Sequence, residues 1–321
     1  MDACAIKNAQ NSFRVFFMRA LFILIAFFFP ATSVQQPLVA QQNNQVIDCA
    51  AEGRPVITGD GTGTGIVVQG KTGVIIQNCT VKGFVLGLLV ADSSNVIVRD
   101  SDFSGNYVDD NSILDLGGWL PKGGVMFQNV TNSVIQNVTA SGNVQGIYIF
   151  KGGNNVVRAN DVSKNRGWGI RLLESPGNRI EDNVANYNNR SCPEWGHDAG
   201  CESAGIVLVN SDNTIVVGNT ANFSGDGIYQ GNTSARASHN NAFYWNTLND
   251  NVANGIEATF SHDNRFIGNE LQRNNYAFWL GYASYALVSG NYTNGNRVMD
   301  CRAEHSSDVV VQDNTFADCP Q

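Results

Sequence analysis

Two acidic residues stand at comparable places in the chain. Asp226 lies two positions before Ile228 in DGIYQG, and Glu257 follows Ile256 directly in NGIEATF. Paired carboxyls suit a reaction in which one group gives a proton and another takes one. Cleavage of a glycosidic bond is such a reaction, and it wants the two carboxyls about 5–9.5 Å apart. Ideal strand spacing puts Asp226 and Glu257 nearer ~11 Å, slightly too far. Asp198, in CPEWGHDAGC, could come closer to either. A different chemistry, proton removal beside a uronate, uses an Arg or Lys base, often with a cation neutralising the acid. Arg171 in GWGIRLLES, with Lys151 near it, supplies that alternative. Ca²⁺ would accompany only this second reading. Otherwise no cofactor and no metal site are expected, because the sequence has no C-x-x-C pair and no His cluster.

Aromatic residues accompany these acids. Tyr148, Trp168, Trp195, Tyr229, Trp279 and Tyr282 are candidates for stacking on sugar rings, while Lys151 and Glu174 could hold hydroxyl or acid groups. Each has a plainer reading as well. An outward Glu on a strand is commonly solvated, aromatic rings also pack beneath loops, and Arg171 beside Glu174 could be a surface ion pair worth under ~1 kcal/mol.

The elements that position these residues follow from a repeat. Ile147 precedes Asn160 by thirteen residues, and the pairs Ile170–Asn183, Ile206–Asn219, Ile256–Asn269 and Phe278–Asn291 keep that interval. Ile66–Asn78 and Val125–Asn137 run one shorter, Ile228–Asn246 runs longer, and Cys301 takes the last apolar slot before Asn314. The unit lasts about 22 residues, as in GIYIFKGGNNVVRANDVSKN. Its short apolar runs, separated by Gly, Asn, Asp and Ser, read as strands and turns. A single unit cannot bury a face alone, whereas stacked units share one core. A propeller wants about 40 residues per blade, and a leucine-rich repeat wants its Leu and helix signature. The recurring Asn can bond the amide of the neighbouring coil and satisfy buried backbone groups. The pattern predicts an all-β, single-stranded, right-handed parallel β-helix of about ten coils over 45–321.

Strand alternation then places the residue after each Gly-Ile step on the outer surface. That column is Val67, Leu89, Met126, Tyr148, Arg171, Val207, Tyr229, Glu257, Trp279 and Arg302. Insertions at 107–123 and 188–203 enter before two of these strands and should wall a groove along the column.

The cadence GI-x-[LIV]…N-x-[IV]-x-x-N, over about 64–318, resembles the parallel β-helix repeat of the carbohydrate-binding and sugar-hydrolysing superfamily. That group includes pectate lyase-like, polygalacturonase-like, alginate epimerase and NosD-type proteins. The resemblance implies the fold without choosing a reaction. The NTDG, GHGxS, RIK and DPHD motifs of its enzymes are absent, so it carries no catalytic residue onto this chain.

Residues 20–29, ALFILIAFFF, are apolar, with Arg14 and Arg19 before them and Pro30 after. Ten apolar residues are too few to span a bilayer, which takes about 20. The expectation is a signal peptide over 1–33, starting at Met1 or Met18, then a flexible lead-in over 34–44. The product would be secreted or periplasmic, with no membrane span. The chain carries a net charge of −8, and the leader holds Lys7, Arg14 and Arg19 against Asp2, so the remainder is more acidic still. Nucleic acid is therefore not an expected partner. Seven cysteines include Cys4 in the leader. In an exported chain the remaining six favour disulfides. The coil repeat ranks the pairs Cys49–Cys79, Cys192–Cys201 and Cys301–Cys319. The expected protein is a monomer acting on a polysaccharide or oligosaccharide through Glu257 with Asp226 or Asp198. A glycan-binding module, a NosD-like periplasmic module, a lyase or epimerase, and a self-assembling spike are the alternatives.

Overall fold

The computed structural model describes residues 36–106, 121–191, 199–232 and 238–321. Every named strand pairing in it is parallel, and each strand meets its counterpart one coil along the chain. The sheet that carries the Gly-Ile segments has 11 strands, from Leu38–Val39 to Met299–Glu304. A second sheet of 13 strands, from Val46–Asp48 to Val310–Gln312, takes the NVIVRD-type runs. The third side of the coil is thinner. It consists of short pairs such as Glu270–Gln272 with Tyr292–Asn294, joined by single bridges such as Val184 to Thr220.

The repeat sets the register. Ile147, Ile170, Ile206, Ile228, Ile256, Phe278 and Cys301 stand on consecutive rungs. Each is at most 1 % exposed, so this column is the spine of the core. Phe243 and Phe266 stack behind it with ring centres 5.1 Å apart.

Asparagine solves the problem that close stacking creates. A coil corner has no strand partner for every amide, and a buried amide left unpaired costs about 1–3 kcal/mol. The amides of Asn160, Asn183, Asn219, Asn246, Asn269 and Asn291 each donate to the side-chain oxygen of the Asn on the next coil, ending at Asn314, over 2.8–3.0 Å. A second ladder starts with Asn106, Asn143, Asn165 and Asn188 at another corner. The first coils differ from expectation. The ladder position there is filled by Cys79, Ser101 and Val138, whereas Asn78 and Asn137 sit one residue earlier at φ 55° and 50°. Left-handed backbone tolerates Asn well, which accounts for the shorter interval.

The helix also begins earlier than its repeat suggests. Leu38 and Val39 pair with Ile66 and Val67, so part of the expected lead-in over 34–44 is the first rung. Residues 1–33, the expected signal peptide, lie outside the described residues. Disulfides Cys49–Cys79 and Cys301–Cys319 staple the two ends. Cys201 is disulfide-bonded, and Cys192 lies outside the described residues.

Candidate functional site

The outer column forms in the expected register: Tyr148 beside Arg171, Val207 beside Tyr229, then Glu257, Trp279 and Arg302. Its burial divides it. Met126, Tyr148, Arg171 and Val207 are 0 % exposed; Met126, Tyr148 and Val207, with Leu86, Trp168, Ala204, Leu173 and Val209, form a second apolar layer outside the sheet, and Arg171 is buried against its rings. Arg171 lies between two rings, 4.7 Å from the centre of Tyr148 and 4.4 Å from that of Trp168. Burial pushes the Tyr148 phenol up to about 12. From Tyr229 onward the column is part-exposed, and the site lies there.

A cavity of about 270 Å³ is lined by Trp168, Glu202, Ser203, Ala204, Val207, Asp226, Tyr229 and Glu257. Asp226 and Asn254 hold the outward position that precedes the Gly-Ile step on neighbouring coils, and Glu257 holds the outward position after it. Asn254 ties the two acids together. Its backbone N–H donates to Asp226 Oδ1 over 2.9 Å, and its side-chain amide donates to Glu257 Oε2 over 2.7 Å. Asn254 thus bridges the two acids across neighbouring coils.

Their electrostatics follow from that placement. Burial first, and the neighbouring Glu257 charge second, hold the Asp226 carboxyl well above the usual carboxylate range. Burial also raises Glu257, opposed by the hydrogen bond from Asn254. Low dielectric and a like charge both favour the protonated form. Burial, then the Glu257 charge, raise the Tyr229 phenol too. Two lining residues, Trp168 and Ser203, each carry a buried polar atom, Nε1 and Oγ, with no hydrogen-bond partner among the described residues. Buried polar groups are normally satisfied, so a lone donor beside a cavity marks a place for a ligand or water.

Glu257 is also the wall of a second hollow. This one is open, about 350 Å³, and lined by Ala253, Asn254, Glu257, Asn275, Tyr276 and Trp279. Tyr276 and Trp279 meet edge to face at 4.9 Å and 80°. Arg302 lies 5.6 Å over the Trp279 ring.

The remaining sequence candidates lie elsewhere or outside the described residues. Lys151 and Glu174 form an exposed ion pair at 3.7 Å on a turn. Tyr282 is 51 % exposed and stacks on Phe260 and His305 at 5.0 and 4.8 Å. Trp195 and Asp198 are outside the described residues. Sequence reasoning passed over Asn254, Tyr276 and Ser203. The signal for the first two was present: they occupy the position of Asp226 in NGI and YAF, the next two repeats.

A right-handed β-helix bearing a paired-carboxyl cavity on its outer face is thus the class that fold and site define. The chain belongs to the right-handed β-helix family, whose profile, Right handed beta helix region, matches residues 38–243. A second profile, Periplasmic copper-binding protein (NosD), matches 193–320. The described residues do not fit copper, since no group of three or more His, Cys, Asp or Glu among them could hold a metal ion. No curated protein matches the sequence. Among solved structures, the Dettilon tailspike protein is similar at 17 % identity and TM-score 0.57, over 81 % of this chain and 54 % of that one. The chain thus spans about half the length of that structure. An alginate lyase from Paenibacillus is similar at 16 % identity and TM-score 0.54, over 85 % and 84 % of the two chains. A periplasmic alginate epimerase shows 14 % identity and TM-score 0.52, over 80 % and 79 %. These likenesses are of fold. No helix among the described residues is long and apolar enough to cross a membrane.

Proposed function

We propose that this protein is an exported glycoside hydrolase that cleaves a polysaccharide at Asp226 and Glu257. One observation carries the reading: two carboxyls with raised proton affinity share Asn254 and face one cavity. Environments that push paired carboxyls apart in acidity assign the acid and the base. Asp226, held further up, keeps its proton and gives it to the glycosidic oxygen as the C1–O bond breaks. Glu257 takes a proton from water as the water oxygen bonds to C1, so one water is consumed per cut and the carboxyl pair is restored by proton return. The stapling disulfides suit an oxidising compartment, the exterior or the periplasm.

The substrate class is a neutral glycan. Glu257, ionised as the base, lines the cavity of a chain whose net charge is −8, and a polyuronate would meet repulsion there. The proton-abstracting alternative loses support for the same reason. Arg171 is fully buried between rings, and Lys151 pairs with Glu174 on an exposed turn. The tailspike, lyase and epimerase likenesses support action on a polysaccharide; the lyase and the epimerase are named for alginate, a polyuronate, so the neutral class rests on the cavity of this chain alone.

The NosD match over 193–320 contains Asp226, Glu257 and Trp279 and favours a second reading, a binding module. A panel of neutral and uronate polysaccharides, followed by reducing ends and by ultraviolet absorbance, separates them. Reducing ends without absorbance, lost in Glu257→Gln, are expected. Absorbance would indicate a lyase, and glycan capture without any product would indicate the module.

A further inference from the structure

The sheet face that carries the site is closed on one side and open on the other. From Gly123–Gln128 to Ala204–Val209, the outward residues Met126, Tyr148, Trp168, Arg171, Leu173, Ala204, Val207 and Val209 are at most 2 % exposed, and only Gln128 and Phe150, at the far edge of the same face, are part-exposed. From the next strand onward the face opens, and Glu257, Tyr276, Trp279 and Arg302 are part-exposed on successive rungs. The cavity lies at the boundary between the two, with Trp168, Ala204 and Val207 as its closed end. At about 270 Å³, just below the roughly 300 Å³ at which sites for drug-sized ligands begin, it has room for about one sugar ring. Glu257 borders both this cavity and the open hollow of Tyr276 and Trp279.

We infer that the enzyme attacks chain ends: the terminal sugar enters the cavity, the rest of the glycan lies over Trp279 toward Arg302, and each cut releases one sugar. This rests on the hydrolase reading. It adds that the buried layer from Met126 to Val207 forbids the chain from continuing past the cleaved bond. Per turnover, one C1–O bond breaks and one water is added, as above. Tyr276 and Trp279 supply ring faces for the sugars beyond the scissile bond.

The test uses the neutral polysaccharides of the panel together with hexasaccharides of glucan, mannan, xylan and galactan, fluorescently labelled at either end. Single sugars from the earliest times, no ladder of intermediate lengths, a slow fall in viscosity and protection by a label on one end are expected. Intermediate fragments with a steep fall in viscosity would overturn the chain-end mode while leaving hydrolysis in place. No new reducing ends from any substrate would remove the hydrolase reading and this inference with it. Trp279→Ala should raise KM for the hexasaccharide about tenfold more than for the disaccharide. Equal effects on both would remove Trp279 from the path of the chain.

Discussion

Asp226, Asn254 and Glu257 form a small unit in which two acids and one amide set each other's behaviour. Asp226→Asn and Glu257→Gln should each lower kcat by about 10²–10⁴ while folding is retained, checked by initial rates and circular dichroism. The third member has a more specific signature. The Asn254 side-chain amide favours ionised Glu257, so Asn254→Ala should move the acid limb of the kcat/KM profile to higher pH. An unmoved limb would detach Asn254 from the base. Stability carries the same information. Asp226 and Glu257 hold their protons more tightly folded than unfolded. The folded state therefore binds more protons between the ordinary carboxylate range and the raised values. This contribution is fully present below that range and is lost as pH rises through the folded values. Asp226→Asn should flatten that fall and raise Tm at neutral pH, measured by thermal unfolding across pH. The positions of both acids were legible in the sequence from strand alternation. The burial of Tyr148, Trp168 and Arg171 was not, because alternation says which side chains leave the core and is silent about a second layer that covers them.

At the scale of the coil, the corner ladders do what strand pairing alone cannot. Asn219 accepts from the Asn183 amide through Oδ1 and donates through Nδ2 to Ile180 O, all within 3.0 Å. Asn219→Ala should cost about 2–6 kcal/mol in urea unfolding, since it orphans two buried partners, the Asn183 amide and Ile180 O, at about 1–3 kcal/mol each. Asn78→Ala, at an exposed left-handed corner, should cost about 1 kcal/mol. Similar losses at both sites would contradict the division between ladder and turn residues. The interval of thirteen residues made the ladder readable from Asn160 to Asn314. It misplaced Asn78 and Asn137, because a left-handed corner and a ladder corner favour the same residue type for different reasons.

At the scale of the molecule, stability is a sum over neighbouring coils, and the ends are where such a stack frays. The Cys301–Cys319 bridge closes a separation of 18 residues, with Phe316 set 6.0 Å from Phe278 and the Ala303 amide bonded to Pro320 O. Cys301→Ser with Cys319→Ser should cost about 3 kcal/mol and raise amide exchange first in the strands after Tyr276, read by mass spectrometry. Uniform exchange along the chain would mean that the stack opens as one unit.

The same regular stacking separates the length of the binding face from its chemistry. Every coil offers its successor the same row of amides, so a duplicated repeat placed between Tyr276–Ser284 and Met299–Glu304 would find its partners already prepared. The floor beyond Trp279 would grow by one rung, and Asp226, Asn254 and Glu257 would keep every neighbour they have. Descent by repeat duplication could thus adjust how much of a glycan is gripped without altering the bond that is cut.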